Sequence, residues 1–170
     1  MSPASLLNLP FIATTRRNHA LEHATIHILA RRNPHLSLVG RSDWKGYSIY
    51  GQVDTRLVEQ AAHEALGRLQ AGEHQLAVHP RCGTVLATTS VLSGMAAFLT
   101  LGLGRSRTRF RWASLPEVLL ATTVAVLIAQ PLGLLVEQRI TTSSDVGDLR
   151  IARVFQQRGG SMPIHRVDTR

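Results

Sequence analysis

Two long uncharged runs interrupt a chain that is otherwise polar and finely patterned. Gly83–Gly104 reads GTVLATTSVLSGMAAFLTLGLG, and Val118–Val136 reads VLLATTVAVLIAQPLGLLV. Each is long enough to cross a hydrocarbon core as a helix. Arg81 and Arg105 bracket the first, and Glu117 and Glu137 border the second. Ser93, Gly94, Ala96 and Ala97 are small enough for close helix contact, and Gln130–Pro131 predicts a kink. The pattern predicts a two-helix transmembrane hairpin over residues 83–136, with spans at about 83–104 and 116–136.

Before the first run the pattern is that of an α/β domain, residues 1–82. Leu6–Ile12 is a short apolar patch broken by Asn8 and Pro10, read as a pre-domain strand or an interfacial segment; it lacks the basic region of a secretory leader. Asn18 is a good helix cap, so a helix is expected over His19–Arg32, closed by Asn33–Pro34. A strand at Leu36–Val39, a turn over Gly40–Gly46 and an alternating strand at Tyr47–Val53 follow. Asp54 or Thr55 caps a second helix reaching Leu69, with Leu57, Val58, Ala61, Ala65, Leu66 and Leu69 on one face. Gln75–His79 is read as a last strand. The fold class is α+β: an α-β-β-α-β domain, the hairpin, and a short polar C-terminal tail over 137–170. In that tail Asp148–Phe155 is a further candidate strand, and disorder is expected beyond Gly159–Gly160.

Charge adds topology. The net charge is +8, with nine basic residues before the first run, four between the runs and six after the second. No basic run is interleaved with aromatic residues, which argues against nucleic acid as a partner. The connection Arg105–Ser114, RSRTRFRWAS, carries four arginines and favours a cytoplasmic loop. Basic residues at the other span ends, and the lack of an export signal for an eighty-residue domain, favour cytoplasmic termini. We expect a multi-pass protein of the inner (plasma) membrane with termini in the cytoplasm, and the lipid bilayer, a membrane-protein complex or a homo-oligomer as partners.

Histidine is the informative residue for chemistry. Seven of the eight lie at or before His79. In Asn18-His19-Ala20-Leu21-Glu22-His23-Ala24-Thr25-Ile26-His27, His19 and His23 lie about 40° apart on one helix face, with Glu22 about 60° to the other side of His19. Two imidazoles one turn apart can share a metal ion, and a neighbouring carboxylate can take a proton from metal-bound water. His27 extends the row by a turn. Where the domain meets the first span, His79-Pro80-Arg81-Cys82 offers an imidazole and the single thiol at metal-ligand spacing. The candidate ligands are therefore His19, His23, His79 and Cys82, zinc is the candidate metal, and Glu22 is the candidate catalytic base. Structural haem binding by the histidines is a further possibility; His35, His63, His74 and His165 are read as surface residues.

His19-x-x-Glu22-His23 is the inverted zincin pattern. With Gly40, Tyr47-Ser48-Ile49-Tyr50 and Leu57–Leu69 following in order, residues 18–70 faintly resemble a half-domain of the pitrilysin (insulinase-like) metallopeptidases. That resemblance implies zinc on His19 and His23 and Glu22 as base. Those enzymes take a third ligand from a glutamate on a later helix; here Glu59 and Glu64 are the substitutes, beyond Glu117 and Glu137 at the span borders. The whole chain resembles an uncharacterised two-span membrane-protein family of cyanobacteria and Chloroflexi, through Asn18–Ala24, Gly46–Gly51, His79–Thr84 and Gln130–Gly133. That likeness implies architecture and no chemistry. Two functions follow: an accessory or structural membrane subunit with a His/Cys metal site, or a membrane-anchored zinc-dependent peptidase-like hydrolase.

Overall fold

The computed structural model describes residues 7–79, 82–103, 114–157 and 162–170. The start of the Leu6–Ile12 patch, Pro80–Arg81, nearly all of the arginine-rich connection and Gly159–Gly160 lie outside the described residues. The chain forms two compact units, one from Met1–His79 with Gln138–Arg170 and the other from Pro80–Glu137.

The first unit is an α+β fold. Helix α1 runs from Pro10 to Arg32, with proline in its first turn and Arg31 and Arg32 in its last, as the fixed φ of proline and the helix dipole favour. It begins eight residues before Asn18. Asn18 is therefore no cap: its side chain is buried, donates to the Asp43 carbonyl at 2.9 Å and accepts from Thr169 Oγ1 at 2.7 Å. Strands β1 (Val39–Asp43) and β2 (Gly46–Tyr50) form a hairpin around Trp44-Lys45, paired from Val39↔Tyr50 to Asp43↔Gly46. The stretch read as a turn over Gly40–Gly46 is thus mostly strand. Gly46 closes it at φ +147°, where a Cβ would strike the Val167 carbonyl. Helix α2 (Thr55–Gln70) starts as expected, the Asp54 side chain accepting from the Arg56 N–H.

The segment read as a last strand, Gln75–His79, instead contains a 3₁₀ turn at His74–Ala77. The sheet is completed from the C-terminus. β3 (Ile151–Gln157) arises where a strand was expected, and β4 (Ile164–Thr169) lies where disorder was expected. The order is β1-β2-β4-β3, antiparallel throughout. β4 occupies a central position because its polar side chains find partners. Arg166 holds both oxygens of Asp43 at 2.7 and 2.9 Å and Asp168 at 2.9 Å.

The core lies between the helices and one sheet face. Leu21, Ala24, Ile28 and Leu29 of α1 meet Val58, Ala61, Ala65 and Leu69 of α2, with Tyr47, Ile49 and Val167 from the sheet. Alanines at this contact let the helix backbones approach closely. Each fully buried Leu, Ile or Val contributes roughly 1.5–3 kcal/mol.

The second unit is a pair of packed helices, α3 (Gly83–Leu103) and α4 (Leu115–Val136). The α4 helix continues through Pro131. A Cβ on buried Gly133 would lie 3.0 Å from the Val85 backbone, so the two helices touch there at backbone distance. Segments Gly83–Gly102 and Leu115–Thr141 are long and apolar enough to cross a membrane. Their outward side chains are uncovered: Phe98 is 75% exposed and Leu127 68%.

Candidate metal centre

Helical periodicity on α1 sets the site. His19 and His23 are one turn apart, and their ring centroids lie 4.4 Å from each other with planes inclined at 62°. Each ring is held by a backbone carbonyl. His19 Nδ1 bonds to Thr141 O at 3.0 Å, and His23 Nδ1 to Ala77 O at 2.9 Å. A carbonyl oxygen only accepts, so Nδ1 carries the proton in both rings and the neutral tautomer has its lone pair on Nε2. Ligand histidines are oriented in this way, one nitrogen donating to a carbonyl and the other facing the metal. His23 is buried and His19 half-buried.

His79 joins this row on the same unit. Its ring centroid is 6.0 Å from that of His23 and 4.8 Å from that of His27. It is therefore closer to His27, which was not among the predicted ligands, although its place one turn beyond His23 was visible in the sequence. Cys82 is buried, at the start of α3, where its sulfur accepts the Thr84 N–H at 3.4 Å. His19 and His23 bring two imidazoles of one unit together as donors that could share a metal ion, and the Cys82 thiol stays a candidate third donor by its spacing in the sequence.

Glu22 is buried and turned towards the sheet. Ser42 Oγ donates to its Oε2 at 2.5 Å. Gly40 is required beneath it: a Cβ there would fall 1.8 Å from Glu22 Oε1. Tyr47 lies alongside in the core. The Thr25 hydroxyl donates to Leu21 O, so Tyr47 must be the donor in its 2.8 Å bond with Thr25 Oγ1. Burial pushes the Tyr47 phenol well above its ordinary pKa; the bond to Thr25 opposes this, and the Glu22 charge reinforces it.

The substitutes for a third acidic ligand stay outside. Glu64 pairs with Arg32 at 2.6 Å, and Glu59 is exposed. His35, His63 and His74 are exposed, as read from the sequence. His165 is not a surface residue: it is buried, with Nδ1 3.0 Å from Thr55 Oγ1 and Nε2 3.3 Å from Gly51 O. Its alternation with Val167 on β4 was the missed signal.

The comparisons agree with the reading of an uncharacterised family. An uncharacterized protein of Picosynechococcus sp. is 32% identical over 154 residues, covering 78% of this chain and 75% of the relative. No solved structure matches the chain. A family model described as a domain of unknown function, DUF6391, matches residues 14–154, which include α1 with its histidine row, both apolar helices and the start of β3. The chain belongs to the DUF6391 family.

Proposed function

We propose that this protein is an integral membrane protein whose α+β domain holds a zinc ion through His19 and His23, with the Cys82 thiol, a candidate ligand by its sequence spacing, as a further donor, in an accessory or structural role. The observation that carries the reading is the paired anchoring of His19 and His23 on the carbonyls of Thr141 and Ala77, with rings 4.4 Å apart. Anchoring of this kind costs ring freedom in advance and lowers what metal binding must still overcome. Two imidazoles and a thiolate suit zinc better than the hard cations, which prefer oxygen. The apolar exterior of α3 and α4 supports the bilayer assignment, since exposed apolar area on this scale needs an apolar surrounding.

The hydrolase reading gains less. A general base must reach the proton of the metal-bound water. The Glu22 carboxylate is bonded to Ser42 and packed on the Gly40 backbone, an environment that explains its presence as part of the fold.

Metal analysis of the full chain purified in detergent tests the proposal. Wild type and Glu22→Gln should retain zinc, and His23→Ala should lose it. A wild-type protein without metal after reconstitution contradicts it. Peptide cleavage by the wild type, abolished in Glu22→Gln with zinc retained, would replace it with the hydrolase.

A further inference from the structure

The imidazole row continues past the set just described. His27 lies one turn beyond His23, and its ring centroid is 4.8 Å from that of His79, with planes tilted by 54°. Both residues are half-buried, whereas His23 is 4% exposed. The segment after the 3₁₀ turn runs beside α1, and its successive carbonyls hold successive histidines by opposite nitrogens. Ala77 O takes Nδ1 of His23 at 2.9 Å; Val78 O takes Nε2 of His27 at 3.0 Å. The neutral His27 ring therefore has its lone pair on Nδ1. The next residue in that segment is His79 itself.

The second imidazole separates this arrangement from a simple helix-to-loop tie. A tie needs one ring on one carbonyl, and the His27–Val78 bond supplies it. The second imidazole at 4.8 Å adds like charge whenever both rings are protonated, which is unfavourable; a shared divalent cation turns the same proximity into attraction. The tie to Val78 O leaves the His27 ring oriented as metal-ligating histidines are.

We propose that His27 and His79 form a second metal site, for a divalent transition-metal ion such as zinc or cobalt. Two imidazoles bind the ion and solvent completes its coordination. The proposal rests on the preceding reading only in assigning His79 to this outer pair and leaving His19, His23 and Cys82 as the inner set. Binding forms two nitrogen–metal bonds, displaces metal-bound water and changes no oxidation state. With two ligands and more exposure, the outer site is the weaker one.

Cobalt(II) titration of the full chain in detergent distinguishes the two sites. A cobalt ion on the inner set gives a thiolate-to-metal charge-transfer band; an ion on two imidazoles gives none. Wild type is expected to bind a second, weaker equivalent that adds no charge-transfer absorbance. His27→Ala and, independently, His79→Gln should each weaken that equivalent by about tenfold or more, at least the cost of losing a group that merely orients a ligand, and leave the band intact. The intact band shows that each variant is folded. A second equivalent that persists unchanged in both variants, or is missing from wild type, overturns the proposal. A wild-type protein with the weak equivalent but no band upholds the outer pair and sinks the inner set.

Discussion

In the unit built from residues 1–79 and 138–170, large apolar side chains turn inward: Leu21, Leu29, Ile49, Val58 and Val167 are all at most 2% exposed. In the α3/α4 hairpin the order is reversed. Small residues, Ala129 and Gly133, are buried at the contact, while Phe98, Leu119, Leu120 and Leu127 face outward. Polar groups follow the same inversion. Arg166, Asp43 and Asp168 satisfy one another across the sheet, whereas Thr88, Thr100, Thr122 and Thr123 return their hydroxyls to the carbonyl four residues back on their own helix. One unit is built to exclude water from its interior. The other conceals its polar groups from its exterior, as a helix in lipid must.

The largest expected effect breaks the comparison at its apolar end. Leu127→Arg, at the middle of α4, should lower membrane integration by about 3 kcal/mol, the penalty for arginine at a span centre. Alkaline extraction of membranes reads it, as the fraction of chain released. A variant that stays folded and becomes more soluble would place that surface in water.

Next, Gly40→Ala should destabilise the α+β unit by about 1–3 kcal/mol, because its Cβ must displace the Glu22 carboxylate. Glu22→Ala combined with Gly40→Ala should recover part of that loss in a thermal melt, since the two sites share one contact. Additive losses would mean that the clash is not the cause.

A smaller loss, about 1 kcal/mol, is expected for Tyr47→Phe, which leaves Thr25 Oγ1 without its buried donor. Urea unfolding should show a lower midpoint with an unchanged slope.

The smallest effect is acid sensitivity. Hydrogen bonding to Arg166 holds the Asp43 carboxyl below its usual value of 3.8. Burial raises Asp168, but Arg166 and Arg153 outweigh it and the net shift is downward. Carboxyls lowered in the folded state contribute stability that is present above pH 3.8 and lost as pH falls through their folded values. Asp43 is about half exposed, so its pair with Arg166 contributes no more than about 1 kcal/mol. Melting temperature should therefore fall below about pH 4, less steeply in Arg166→Met.

Much of this organisation was legible along the chain. The two long apolar helices declare themselves as uncharged runs, and α2 and β2 by their periods. What escaped depended on partners distant in sequence. Asn18 has a cap's chemistry but bonds to β1 and β4 across the fold. β4 looked too polar for an inner strand, because Arg166 and Asp168 reveal their partners only when Asp43 is beside them. The i, i+4 spacing placed His19 and His23 together, but the carbonyls that orient them belong to residues 77 and 141. Spacing alone makes Glu22 a candidate base beside a metal; only the hairpin shows it resting on Gly40 and Ser42.

Zinc-edge X-ray absorption on the full chain in detergent tests the central claim most directly. The account predicts a first shell of nitrogen at about 2.0–2.1 Å with sulfur at about 2.3 Å, the sulfur component vanishing in Cys82→Ser and the zinc itself in His23→Ala. A shell of oxygen alone, or a wild-type spectrum without sulfur, would contradict it.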